Sequence, residues 1–163
     1  MTSTEHPAGK TAAQRVDHDL EAAIPYLITR AGARMGGAFS KALKPYGLSL
    51  SEWRVCASLN HAPHQSLSEL VAHSSVDMSA LSRIVDGLVE AGLLVRERSA
   101  TDGRAIRISL SETGIELTQL LIPLAQRYEE VALSDFAPAE VKVLRTLLRR
   151  LYANAAPLVD GPA

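Results

Sequence analysis

The side chains best suited to recognition chemistry are two short hydroxyls and an arginine. Ser79, Ser82 and Arg83 stand three and four residues apart and so share one side of any helix that contains them, with Asp86 beside them. A serine hydroxyl can bond a phosphate oxygen or a base edge. An arginine can take guanine bidentately, a contact worth about 1–3 kcal/mol of discrimination. Further on, Arg104 follows Asp102-Gly103, a strong turn signal, which puts a long cation at a tip where it can enter a narrow minor groove. Asp102 is an odd neighbour for phosphate. It either orients an arginine (Arg83, Arg98 or Arg104) through a charge-assisted pair or simply fills the turn. His73 and Ser75 lie in the break His73-Ser74-Ser75-Val76 just ahead of the serine-arginine face, placed to touch a phosphate. No nucleophile motif, Gly-rich phosphate loop or metal-ligand spacing occurs. The chemistry on offer is therefore recognition of double-stranded DNA, with no catalytic residues, metal or cofactor expected.

Three helices and a hairpin have to hold these residues. Ser49-Leu50-Ser51-Glu52 and Ser66-Leu67-Ser68-Glu69 are capping boxes, each marking a helix start. The first helix carries Trp53, Cys56, Ala57 and Leu59. The second is short, with Leu67, Leu70 and Val71 inward. Asp77 can N-cap a third helix whose stripe is Leu81, Ile84, Val85 and Leu88, and Gly92 stops it. The period then changes to that of strands. Residues 94–98 and 105–110 flank the Asp-Gly turn, with Ile106, Ile108 and Leu110 alternating. A short helix, a turn, a longer helix and a projecting hairpin make a winged helix-turn-helix over residues 48–110.

Long apolar stripes lie on both sides of that unit. Leu20, Ile24, Leu27, Ala31, Met35, Ala38 and Ala42 describe a helix ending near Pro45, which Pro25 either kinks or opens. Leu117, Leu120, Leu121, Leu124 and Tyr128, with a bend at Pro123, and then Val141, Leu144, Leu147, Leu148 and Leu151 describe two more. Such faces exceed what a small reading module can cover, so residues 15–47 and 111–156 are expected to form a helical dimerisation region. Residues 1–14 read as a mobile arm. The fold class is mainly α with a small β-hairpin wing.

The chain has 163 residues, 47% of them apolar, enough for a real core. No signal-peptide core or membrane-length apolar run is present, so a cytoplasmic protein with no membrane partner is expected. One cysteine, Cys56, excludes an internal disulfide and sits on an apolar helix side, where it reads as a small hydrophobe rather than a redox sensor. A net charge of -1 is unhelpful for binding nucleic acid, and between Arg83 and Arg107 five arginines face four acids. Affinity would have to come from paired half-sites, helix N-termini and the hairpin cations. The same thin excess would suit a winged helix used for protein contact.

These motifs resemble the MarR family of winged-helix regulators over residues 20–154. Leu48 to Val55 resembles that family's second-helix entry, and Ser79 to Leu93 its recognition helix. Asp102-Gly103-Arg104 with Leu110-Ser111-Glu112-Thr113-Gly114 resembles its wing and the following turn. Gly103 stands where the family often has a first wing arginine, so one wing arginine, Arg104, carries over. The resemblance implies a triangular homodimer, a pseudo-palindromic operator and release by a small aromatic or phenolic ligand. Met35, Tyr46, Trp53 and Arg54 are the candidate ligand residues.

Overall fold

The computed structural model describes residues 18–74, 76–98 and 105–159. Ser75, Asp102 and Arg104 therefore lie outside the described residues, as do the expected N-terminal arm and the hairpin tip. The chain divides into two units between Arg34 and Met35.

Helix α1, Ile24–Leu43, begins one residue before Pro25, so the proline opens the helix instead of kinking it. In the first unit, Asp19 Oδ1 accepts from the backbone N–H groups of Glu21 and Ala22, and the Arg30 guanidinium lies 5.3 Å from the Tyr26 ring centroid. Leu20, Ile24, Leu27 and Ile28 are exposed there.

In the second unit, a 3-10 turn at Lys44–Tyr46 ends on Gly47, whose φ of 71° suits a residue without Cβ. Helices α2 (Leu50–His61), α3 (Leu67–Ser74) and α4 (Met78–Glu90) follow. Ser49 and Glu52 form the expected reciprocal capping box on α2. Ser66 and Glu69 do the same on α3, with backbone donation to Glu69 at 2.6 Å. Asp77 caps α4 by accepting from Ala80 N–H at 2.9 Å. Helix α3 runs on through His73 and Ser74, beyond the break read from the sequence, because Leu70 and Ser74 are buried four residues apart on one face.

Strands β1 (Leu94–Arg98) and β2 (Ile106–Leu110) pair antiparallel, Leu94 opposite Leu110 and Arg98 opposite Ile106. The expected alternation in β2 fails: Ile106 is exposed, whereas the neighbours Ile108 and Ser109 are both buried. The cause lies upstream. Gln65 forms a one-residue bridge to the free edge of β2, exchanging two backbone hydrogen bonds with Ile108 at 2.8 and 3.1 Å, and the Ser109 hydroxyl lies 2.9 Å from His64 Nδ1.

Helix α5 (Glu112–Ala132) starts under this hairpin and contains Pro123; α6 (Pro138–Asn154) and α7 (Ala156–Val159) complete the described chain. The core joins Leu43, Val55, Cys56, Leu59, Leu70, Leu81, Val85, Leu88, Leu94, Ile108 and Leu121. Phe39 extends it with edge-on contacts to Trp53 and Tyr128, ring centroids 5.6 and 5.3 Å away. Leu120 does not join the stripe predicted for it and is exposed, while Ile122 and Ala125 pack on the core. Helix α6 has no buried residue, and Val143, Leu147, Leu148 and Leu151 are exposed on it.

The turn from α4 into β1 is locked to the start of α5. Gly92 has φ 72°, the Ser111 hydroxyl donates to its carbonyl at 2.6 Å, and Ser111 N–H donates to Leu93 O at 3.0 Å. Gly114 packs so closely that a Cβ there would overlap the Leu93 carbonyl oxygen, which is backbone and cannot swing aside. Gly114→Ala is therefore expected to cost roughly 2–4 kcal/mol. Chemical denaturation checks this: the midpoint falls with little change in slope.

Candidate nucleic-acid interface

Helix α4 buries Leu81, Val85 and Leu88 and leaves Ser79, Arg83 and Asp86 exposed, with Ser82 half-buried beside them. The face predicted from spacing is thus presented outward. The Ser79 hydroxyl donates to Asp77 Oδ1 at 2.8 Å, so its proton is engaged and its lone pairs face outward. Hydrogen bonds from Ala80 N–H and the Ser79 hydroxyl hold the Asp77 carboxyl below its usual range. It remains an ionised cap at neutral pH.

Asp86, an acid on a face with two serines and one arginine, has a partner that the sequence does not reveal. Arg96 on β1 reaches it at 2.6 Å. Both side chains are partly exposed, so this pair adds little to stability. Its consequence is orientation, because it ties the exposed side of α4 to the first strand of the hairpin. Arg107 on β2 is likewise engaged, 2.7 Å from Glu69 of the α3 capping box. Two of the five arginines between positions 83 and 107 are therefore neutralised by acids within the fold. Arg83 and Arg98 are exposed, Arg98 at the last described position of β1.

His73 is exposed at the end of α3, and its Nδ1 lies 2.7 Å from Gln65 Oε1. Gln65 Nε2 donates to the carbonyls of Ala62 at 2.6 Å and Ser58 at 2.9 Å, which fixes the amide orientation. Oε1 must then accept, so His73 Nδ1 carries the proton. In the neutral ring Nε2 is an acceptor, and a phosphate contact would require the imidazolium.

Of the four candidate ligand residues, the structure brings two together. Trp53 and Arg54 line a cavity of about 430 Å³ between α2 and α3, with Ser58, His61, His73 and Ser74. Met35 and Tyr46 do not line it; they are 45% and 40% exposed, Met35 because the inward position on α1 belongs to Phe39, and Tyr46 in the 3-10 turn that follows α1. The adjacency of Trp53 and Arg54 points to the cavity. Its far wall on α3 is not readable from the sequence, where Ser74 falls in an apparent break.

Cys56 is 2% exposed, and burial, with Glu52 nearby, pushes its thiol up to about 11. Raising the pKa in this way disfavours the reactive thiolate at neutral pH, which argues against the redox-sensor reading of Cys56. Among the described residues no group of three or more His, Cys, Asp or Glu could hold a metal, and no helix is long and apolar enough to cross a membrane.

The MarR family profile matches residues 46–105, which hold α2 through β1 and the connection to β2. Among characterised proteins, the HTH-type transcriptional repressor Rv2887 of Mycobacterium tuberculosis is 28% identical over 134 residues, covering 82% of this chain and 96% of that protein. Among solved structures, a MarR family transcriptional regulator from Silicibacter pomeroyi is similar at 28% identity and TM-score 0.76, covering 83% and 92% of the two chains. CouR from Rhodococcus jostii RHA1, solved bound to p-coumaroyl-CoA, is similar at 26% identity and TM-score 0.76, covering 83% and 95%.

The buried thiol yields a direct prediction. Cys56 is expected to resist alkylation in the native protein and to react readily in denaturant, as mass spectrometry after iodoacetamide treatment would show. Rapid native labelling at neutral pH would contradict the burial described here.

Proposed function

We infer that this chain is a transcriptional regulator of the MarR type and works as a homodimeric repressor that binds a pseudo-palindromic operator and is released by a small aromatic ligand. One observation carries the reading: the exposed Ser79–Arg83 face of α4 is coupled to the hairpin through Asp86 and Arg96. A helix and a hairpin held together in this way can address adjacent grooves of one duplex.

In this reading α4 enters the major groove. Arg83 takes a guanine, Ser82 bonds a base edge or a phosphate, Ser79, whose proton is held by Asp77, accepts from a base donor, and Ser75 and His73 meet the backbone ahead of the helix. Arg98 and Arg104 place cations along the hairpin, and Asp102 orients one of the arginines. Residues 48–110 read DNA, while residues 15–47 and 111–156 pair the subunits. The exposed apolar side chains Leu27 and Ile28 on α1, and Val143, Leu147, Leu148 and Leu151 on α6, support association, since large apolar patches seldom stay in water. Pairing matters energetically, because Arg96 and Arg107 are engaged inside the fold and each half-site has few cations left. The acyl-CoA bound by CouR supports an effector with an aromatic group, and a cytoplasmic location follows from action on operators.

Selection of bound fragments from genomic DNA, followed by anisotropy titration, tests the reading. Wild type is expected to select a twofold-symmetric site, with sedimentation showing dimers at micromolar concentration. Arg83→Ala should weaken binding to that site by about 5- to 150-fold, matching ~1–3 kcal/mol, and relax preference at one position per half-site. Arg98→Ala and Arg104→Ala should weaken all sequences alike and lower the slope of log affinity against log salt by about one for each phosphate no longer neutralised. Binding unchanged by Arg83→Ala and Arg104→Ala would discard the DNA-reading assignment in favour of protein contact.

A further inference from the structure

We propose that Asp77 is a positioning residue for base readout: by holding the Ser79 proton it turns that hydroxyl into a reader of exocyclic amino groups, so that each half-site carries adenine or cytosine where Ser79 meets it. The inference rests on the proposed DNA-binding function and deepens it at one contact.

The geometry is local. Asp77 has extended backbone, φ -65° and ψ 154°, and as the N-cap it turns its carboxylate back over the first turn of α4. One oxygen, Oδ1, accepts from Ala80 N–H at 2.9 Å and from the Ser79 hydroxyl at 2.8 Å. A serine hydroxyl has one proton and two lone pairs. With the proton committed to a carboxylate, a charge-assisted bond, acceptance is all that Ser79 offers outward. Hydrogen bonds from Ala80 N–H and Ser79 also hold the Asp77 carboxyl below its usual range, so the charge that keeps the proton is present at neutral pH. Ser79 itself is exposed.

Duplex DNA presents few groups that such an oxygen can meet. In the major groove N7, guanine O6 and thymine O4 accept, and the donors are the amino groups at adenine N6 and cytosine N4. Phosphate is excluded twice. Ser79 has no proton to give it, and the Asp77 carboxylate both repels it and occupies an N–H that a helix N-terminus otherwise turns to an anion. A free serine takes either kind of base edge; the carboxylate removes that ambivalence. Arg83, four residues on, has the opposite chemistry, with donors only, and suits guanine. Four residues of helix span about 6 Å, against about 3.4 Å between base pairs, so the amino-bearing base falls within about two base pairs of that guanine.

The experiment uses the full chain on a selected operator. Anisotropy titrations with each base pair of one half-site replaced in turn locate the contact as the position where wild type and Ser79→Ala differ. Wild type is expected to prefer adenine or cytosine there on one strand. Replacing that base by its analogue without the amino group, purine for adenine or pyrimidin-2-one for cytosine, should weaken wild type about 2- to 12-fold more than it weakens Ser79→Ala. Asp77→Ser keeps an N-cap of equal rank but releases the Ser79 proton. It should lose the preference at that position while binding all sequences more tightly, since an acid has left the face. A purely capping Asp77 would leave base preference unmoved. Ser79→Ala alters an exposed side chain and carries the test by itself if Asp77→Ser is unstable. The hydrogen bond is read without DNA by carbon-13 NMR titration of the Asp77 carboxyl: Ser79→Ala removes a donor to the charged form and should raise the midpoint.

A midpoint unchanged by Ser79→Ala would overturn the bond, whether or not DNA binds. Guanine or thymine favoured at the mapped position, equal losses on amino deletion in wild type and Ser79→Ala, no position at which the two differ, or base preference kept by a folded Asp77→Ser would each overturn the readout. A chain that binds its operator and responds to Arg83→Ala, yet fails at Ser79, refutes this inference and leaves the function standing. A chain that binds no duplex refutes the function and the readout with it, and the carboxyl titration still decides the bond.

Discussion

The buried amide of Gln65 is the interaction on which the arrangement of α2, α3 and the hairpin depends. Its Nε2 closes the C-terminal end of α2 by bonding the carbonyls of Ser58 and Ala62, its Oε1 receives the end of α3 through His73, and its backbone pairs with β2 at Ile108. A buried amide with every group satisfied is directional in a way that packing alone is not. Leucine at this position could fill the space but could not specify which atoms of three elements meet. This one-residue bridge ties the free edge of the two-stranded hairpin, which would be marginal by itself, to the connection between α2 and α3.

Around that junction the electrostatics are arranged for position more than for charge. By type, Arg96 and Arg107 belong to a basic footprint, but each is turned inward to an acid, Asp86 on α4 and Glu69 on α3. Exposed pairs of this kind contribute little to stability. They fix the hairpin against α3 and α4, and on the proposed function they do so at the cost of cations that would otherwise meet phosphate. The two engaged arginines then leave each subunit few cations for phosphate, which is why twofold pairing matters to that reading.

Local signals in the sequence are legible because their causes are local. Both capping boxes, the Asp77 cap, the Gly92 stop and the strand boundaries at Leu94 and Arg98 depend on residues within four positions of one another. The outward face of α4 follows from helical period alone. Features formed across the chain are not legible. No spacing rule links Gln65 to Ile108, Arg96 to Asp86, or Gly114 to the carbonyl of Leu93. The burial of Ser109 next to Ile108 breaks an alternation that would hold for a free hairpin edge, and the Gln65 bridge explains why. The resemblance groups Met35 and Tyr46 with Trp53, yet the ring that meets Trp53 is Phe39, which has no distinctive signal in an apolar stripe.

Site-directed photocrosslinking tests most directly whether α4 and the hairpin grip neighbouring grooves. A benzophenone group carried at position 79 or at position 98 would be irradiated on a selected operator duplex, and the adducts mapped to the nucleotide. The account predicts base adducts from position 79 inside each half-site and backbone adducts from position 98 a few base pairs away, repeated with twofold symmetry. Adducts from neither position, on a duplex that the protein demonstrably binds, would contradict it.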